Sequence, residues 1–264
     1  MRYLFAAAAI VAAILLCVES AAAADMLQPP PEPAAPIIAN DWKFQATFYG
    51  WATAIDGKVG VRGLPPASVD VKFSDILKNL DGGVMGSFYA TNGKWMVLTD
   101  LIAAKLSDRV NVGPFGGSVK FEQTQVIASG IVGYALPLDI QNLQLSATAG
   151  VRYNYLRANF EINPALFPRT FSREGTKSWA DPIVGLSAHY DINDRWFVNA
   201  LADVGGFGVG SKLTAQGFLA VGYQWTKTIS TSIGYRAIYT DYKSGGFVYK
   251  TTQHGVFSSI SFSF

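Results

Sequence analysis

The chain is short of the residues on which exported scaffolds and hydrolytic sites usually rest. Its 264 residues contain one cysteine, Cys17, and two histidines, His189 and His254. A single thiol excludes a disulfide framework. Two histidines leave little room for general-base chemistry, and no His/Cys/Asp/Glu group has metal-ligand spacing. Charge of either sign is sparse: 21 Lys and Arg stand against 19 Asp and Glu, a net of +2. Such a balance offers no basic face for nucleic acid. After the first two dozen residues there is also no apolar run of the ~20 residues that a helix needs to cross a bilayer. Helical spans are thereby excluded, although half of the residues are hydrophobic.

What is present is alternation. At the carboxyl end Ile260, Phe262 and Phe264 alternate with Ser259, Ser261 and Ser263. A strand apolar on one face and polar on the other, ending on an aromatic, resembles the closing strand of an outer-membrane β-barrel. The same period recurs in Trp42, Phe44, Ala46, Phe48, Gly50 and Ala52, set against Lys43, Gln45, Thr47, Tyr49 and Thr53. In hydrocarbon, backbone polar groups not held in helices are satisfied only by closing the sheet. The expectation is an all-β fold: a closed, antiparallel, up-and-down transmembrane barrel.

The amino terminus reads as an export signal spanning 1–24. Arg2 is the charged start, Leu4 to Leu16 the apolar stretch, and Ala22-Ala23-Ala24 a small-residue cleavage site. Lipoprotein processing at Cys17 is the alternative. A Pro/Ala-rich lead-in follows over 25–40, read as extended and periplasmic, and the barrel itself over 41–264.

Turn chemistry sets the strand number. Short turns are expected at Asn92-Gly93, a hairpin dipeptide, at Pro137 to Asn142, at Ile192 to Asp194 and at Thr226 to Thr228. Longer connections are expected over Ile55 to Asp81, Ser107 to Ser118, Glu161 to Lys177 and Gly205 to Ser211, with a tight one at Lys243 to Gly246. Short turns lie in the periplasm in bacterial barrels, so both chain ends are placed there and the strand number is even. Ten strands is the reading. Eight and twelve stay open, because Val59 to Arg62 and Val69 to Phe73 can pair as an extra hairpin, with Ser74 to Leu80 as a helical turn.

Aromatics give a check independent of the strand boundaries. Trp42, Trp95, Trp196, Trp225, Tyr134, Tyr190, Tyr223 and Phe264 all fall near expected periplasmic ends, as an interfacial girdle requires. Tyr155, Trp179, Tyr239, Tyr242, Phe247 and Tyr249 are expected to form the matching outer set.

Strand parity sends Asp100, Gln123, Gln125, Gln144, Ser146, Thr148, Arg152, Asn154, Asn199, Asp203, Thr214, Gln216 and Arg236 inward. Asp100, Arg152, Asp203 and Arg236 nearly cancel in charge. In a small barrel such a set forms a hydrogen-bonded plug or lines a narrow solute path. His189, near Asp191, and His254, which shares the outward parity of Phe262 and Phe264, are not expected at an outer-rim catalytic site. Asp181 and Asp241 lack a histidine partner and read as solvated or loop-pinning charges. Gly205-Gly206-Phe207-Gly208-Val209-Gly210-Ser211 is not a phosphate loop, since a strand rather than a helix follows it. Flexible glycines folding over the lumen are expected there.

Several runs carry a resemblance. They are Val69-Asp70-Val71-Lys72-Phe73-Ser74-Asp75-Ile76-Leu77, Asp181-Pro182-Ile183-Val184-Gly185 after Trp179, Asn193-Asp194-Arg195-Trp196, Asp203 through Ser211, Gly234-Tyr235-Arg236 and Asp241-Tyr242. Together they look like a group of uncharacterised Gram-negative outer-membrane β-barrel proteins. More loosely the chain resembles the small outer-membrane protein A-, X- and W-like barrels. The resemblance implies the fold and an outer-membrane location and no established activity. The functional expectation is a small porin-like or structural barrel without cofactor. The alternatives are a surface protein meeting lipopolysaccharide phosphates through Arg109, Arg157, Arg169, Arg173 and Lys177, and, less favoured, a lipid- or peptide-modifying enzyme. The terminal strand is expected to engage the barrel-assembly machinery.

Overall fold

The computed structural model describes residues 42–60, 66–112, 117–163 and 171–264. The expected signal and lead-in lie outside these residues, as does Arg169. The strands are β1 (Lys43–Gly60), β2 (Ala67–Val71), β3 (Leu80–Thr91), β4 (Trp95–Val112), β5 (Gly117–Ala135), β6 (Leu143–Asn163), β7 (Phe171–Asp191), β8 (Trp196–Gly205), β9 (Leu213–Gln224), β10 (Ile229–Ser244) and β11 (Phe247–Ser263). One short helix, α1 (Phe73–Lys78), stands between β2 and β3.

All pairings are antiparallel, and β11 returns to pair with β1 from Gln45↔Ser263 to Gly60↔Val248. The result is a closed ten-strand barrel, with β2 as an extra short strand on the edge of β1 that faces β3. A short hairpin does form here, but it pairs Ile55–Val59 with Ala67–Val71 rather than Val59 to Arg62 with Val69 to Phe73, and the helical turn expected over Ser74 to Leu80 is α1, one residue earlier at its start. The hairpin adds no wall strands. Its five residues lie against only the last part of β1, from Ile55↔Val71 to Val59↔Ala67.

The short turns fall where Asn92-Gly93, Pro137 to Asn142, Ile192 to Asp194 and Thr226 to Thr228 place them. At the first, Gly93 has φ 84, and Asn92 Oδ1 accepts from the Lys94 and Trp95 amides at 3.1 and 2.7 Å. Asn92 thus terminates β3 and starts β4 with one side chain.

The far connections correct the sequence reading. Ser107 to Val112 and Gly117 to Ser118 are strand, as are Glu161 to Asn163 and Phe171 to Lys177. Hydrophobic alternation stops where a wall leaves hydrocarbon, but backbone pairing need not, so sequence pattern underestimates strands that continue into water. About 9–11 tilted residues cross a bilayer. β6 and β7 each have 21 residues and project well beyond that, whereas β8 has 10 and β9 has 12. The barrel is therefore tall on one side and low on the other.

The chain's carboxyl end closes the ring at the same end as Trp42. Phe44 and Phe264 exchange both backbone hydrogen bonds at 3.0 Å, and Phe264 rests near the rings of Phe44 and Phe88. Exposed Trp42, Trp95, Tyr134, Tyr190, Trp196, Trp225 and Phe264 surround this end. Phe48, Val84, Leu101, Val132, Val151, Val184, Leu219, Ile233 and Val256 form an exposed apolar band on the outer wall above it.

Candidate functional site

The interior is organised in three levels. At the end that carries Phe264 a cavity of about 770 Å³ opens among Gln45, Thr47, Ser87, Gln144, Asn199, Ser232 and other mostly polar side chains. Its inner end is bounded by Tyr49, Asp100, Gln216, Phe218, Arg236 and Phe257.

The second level is an apolar plate crossed by a charge. Tyr49, Trp51, Ile102, Ile127, Ile238 and Phe257 are buried together, with Met85 and Phe218 against them. Arg236, on β10, lies in this plate, and each of its nitrogens donates a hydrogen bond. Nη2 reaches Asp100 Oδ2 at 2.7 Å and Gln216 Oε1 at 2.8 Å; Nη1 reaches Tyr49 Oη at 3.1 Å; Nε reaches Gln216 Oε1 at 3.2 Å. Tyr49 Oη in turn donates to Asp100 Oδ1 at 2.7 Å, which closes a ring of three side chains. The guanidinium carbon stands 5.4 Å from the Trp51 ring centre and 6.0 Å from that of Tyr49, within cation–π range. Trp51 Nε1 donates to the Arg236 carbonyl at 3.3 Å.

One register step along β9 lies a second charge pair. Arg152 Nη2 donates to Asp203 Oδ2 at 2.7 Å, and Nη1 donates to Thr214 Oγ1 at 3.2 Å. Both charged side chains are shut from solvent, at 0% and 1% exposure. The four predicted residues are thus brought together as two ion pairs, Asp100 with Arg236 and Arg152 with Asp203. Thr214 and Gln216 on β9 connect the two levels. Asp181, on β7 opposite Arg152, is equally buried, yet it serves the β8–β9 connection: its Oδ1 accepts from the Ser211 amide at 2.6 Å and its Oδ2 from Trp179 Nε1 at 3.1 Å.

The third level corrects the expected outer girdle. Trp179, Tyr242 and Tyr249 have inward parity and are buried with Leu156 inside the barrel, with Phe247 and Val59 packed against them. Trp179 and Tyr242 stack with ring centres 4.0 Å apart and planes 9° from parallel. Gln253 Nε2 donates to Tyr249 Oη at 2.9 Å and to Gln125 Oε1 at 3.0 Å. These aromatics bridge the lumen above the low β8–β9 hairpin instead of ringing its outside.

The glycine-rich connection is pinned rather than folded across the lumen. Besides the Asp181 bond, the Gly206 amide donates to the Pro182 carbonyl at 2.9 Å and that of Lys212 to the Asp241 carbonyl at 2.7 Å. Gly206 and Gly208 take φ 86 and 82, which a side chain would resist. Phe207 and Val209 point out into the surroundings. Asp241 is buried as well, with Lys250 at 3.9 Å, so neither of the two aspartates is a solvated rim charge.

The histidines occupy different sides of the wall. His189 lines the cavity, with Nδ1 2.6 Å from Asn199 Oδ1 and Nε2 3.2 Å from Asp191. His254 sits on the outer face between Asp56, at 2.7 Å, and the Tyr235 hydroxyl, at 2.6 Å. Sequence parity turned His254 outward but could not find Asp56, 198 positions away. Of the expected loop cations, Arg157 lies on β6 and donates to Glu174 at 2.8 Å; the side chains of Arg109 and Arg173 lie outside the described residues.

No family model and no curated protein matches the chain. Solved structures do. The outer-membrane protease OmpT of Escherichia coli aligns over 86% of this chain and 98% of its own at 9% identity and a TM-score of 0.50. The fold is that of an outer-membrane β-barrel. The translocator domain of the autotransporter NalP of Neisseria meningitidis covers 85% and 89% at 14% identity and a TM-score of 0.44. Ail, the attachment invasion locus protein of Yersinia pestis, covers 84% and 98% at 10% identity and a TM-score of 0.37.

Proposed function

We propose that the chain is a non-enzymatic barrel of the outer membrane, with both ends periplasmic and a lumen closed to straight-through passage. The observation that carries this reading is the Arg236 level. A guanidinium bonded at every nitrogen and faced by two aromatic rings stands in the mid-lumen, within a plate of buried apolar side chains. The aromatic level beyond it is a second closure. Small barrels are filled by side chains, whereas wide aqueous channels need about 16 strands.

The cavity below is then a periplasmic vestibule. Its hydroxyls and amides keep the lumen side of the short turns hydrated, and His189, bonded to Asn199 and Asp191, is one of these polar lining groups. His254 faces the surrounding lipid and has no hydroxyl nucleophile among its two hydrogen-bond partners apart from the Tyr235 phenol. The tall strands β4 to β7 offer a surface outside the membrane, on which lipopolysaccharide or an external partner would be met.

Planar-bilayer recording of the refolded full chain tests the closed lumen. The expected record is a flat baseline at either polarity; steady, ohmic steps overturn the reading. Engagement of the assembly machinery through the last strand has its own test. Deleting Phe264 removes two closing hydrogen bonds and the ring contact with Phe44. Export should continue while periplasmic, unassembled protein accumulates in cell fractions. An unchanged yield of heat-modifiable barrel contradicts that role.

A further inference from the structure

The seam between β1 and β3 is zipped over only part of its length. β1 and β3 pair only from Lys43↔Thr91 to Phe48↔Gly86. β1 next finds a partner on that edge at Ile55, and it is Val71 of β2. Residues 49–54 of β1 and 80–85 of β3 therefore face each other without strand pairing. Where β2 lies beside β1, β3 is set back by at least one strand spacing, ~4.8 Å. The seam is a wedge, closed at Phe48 and Gly86 and widening away from the terminal end.

Backbone orientation agrees. Successive carbonyls of a strand point to opposite edges. That of Ala52 is directed at β11, against Gly255, so those of Trp51 and Thr53 are directed into the wedge. The Trp51 carbonyl accepts from the Thr53 hydroxyl at 3.0 Å, a side-chain partner on an edge that has no strand beside it. Irregular backbone at membrane depth is tolerated only where protein covers it or where it lines a cavity.

The helix α1, between β2 and β3, packs against β1. It is lightly held. None of its residues is buried, Ile76 is its one half-buried side chain, and its amino-terminal end has no side-chain cap. Phe73 and Leu77, at i and i+4, share an exposed face of the helix, and Leu80, at the start of β3, is exposed as well. Where the helix rejoins the wall the β3–β4 register slips between Leu80 and Gly82, next to Gly83, a place suited to bending. Behind the wedge stand Trp51 and Met85, both in the apolar plate. Tyr49, the first unpaired residue of the seam, also bounds the vestibule.

We propose that the β1–β3 wedge is a lateral portal, covered by α1, through which a hydrocarbon chain from the surrounding lipid leaflet reaches the plate at Tyr49, Trp51 and Met85. The occupant follows from the surfaces: the wedge opens on the lipid-facing wall, Phe73 and Leu77 of its cover are exposed there, and the plate behind it is apolar except for the Arg236 ring. The proposal rests on the membrane insertion proposed above, and it gives the closed lumen a sideways outlet.

The test uses the full chain carrying Cys17→Ser, with Trp42, Trp95, Trp179, Trp196 and Trp225 each replaced by Phe, so that Trp51 is the sole indole. It is folded into vesicles of phosphatidylcholine brominated in mid-chain and into plain vesicles. Trp51 emission should be strongly quenched by the bromines. Joining Ala54→Cys on β1 to Leu77→Cys on α1 with a short bismaleimide should restore most of the emission. Ile76→Ala, which loosens the cover, should deepen the quenching. Quenching that is absent, or the same with and without the tether, overturns the portal. Current steps from the same tethered protein would overturn the closed lumen and leave the quenching result standing, so the two failures are distinguishable.

Discussion

Arg152 and Arg236 are the same residue in the same lumen, one level apart, yet their surroundings differ in kind. Every nitrogen of Arg236 has an acceptor, its carboxylate partner is shared with Tyr49, and its plane is faced by rings. It also borders the vestibule, and Asp100 keeps 11% of its side chain exposed. Arg152 is more deeply shut in and less fully bonded. Its Nε and the second oxygen of Asp203 are buried without a partner among the described residues. Burial and hydrogen-bond satisfaction are thus separate quantities. A satisfied pair beside water can lose a member and be re-solvated, whereas a shut-in pair with spare valences depends almost wholly on the one strong bond it makes.

Arg152→Ala should therefore show the largest effect. It strands the Asp203 carboxylate in a site closed to water, at a cost of about 3–5 kcal/mol. Urea unfolding in lipid vesicles measures it; a loss no greater than that of Arg236→Ala erases the distinction between the two levels. Arg236→Ala should cost less, about 2–3 kcal/mol, because Tyr49 still donates to Asp100 and vestibule water can reach the carboxylate. The smallest expected change is Trp51→Phe, about 1 kcal/mol, since the apolar face is mostly kept and one indole hydrogen bond to the Arg236 carbonyl is lost. A loss as large as that of Arg236→Ala would mean that ring stacking, not the carboxylate, holds the guanidinium.

Parity made much of this legible. Alternation in Trp42 to Thr53 and in Ser259 to Phe264, with turn residues such as Asn92-Gly93, is enough to reach a ten-strand barrel, because a period of two fixes which face each side chain takes. The same reasoning placed Asp100, Arg152, Asp203 and Arg236 inside. Pairing across the lumen was not legible, since the partners lie 136 and 51 positions apart and depend on strand stagger. Trp51 interrupts the polar face of β1, and an aromatic among Thr and Gln at inward parity is the signal that a luminal plate crosses there. The height of Trp179, Tyr242 and Tyr249 suits an outer girdle, whereas their parity turns them inward. The wedge was hidden for another reason. Ile55 to Asp81 reads as a loop from its glycines, prolines and charges, and only the register reveals that β1 and β3 part after Phe48.

The claim that the Arg236 level is a plug and not a filter is tested most directly by a double-mutant cycle read in two ways. Arg236→Ala, Asp100→Ala and the double variant are refolded, and each is measured for unfolding free energy and for single-channel current. The expected result is a loss in each single variant, a double variant that recovers part of it, and no current in any of them, since Trp51, Ile102, Ile238 and Phe257 still fill the lumen. Ion-selective current appearing in Arg236→Ala with little loss of stability would contradict the account.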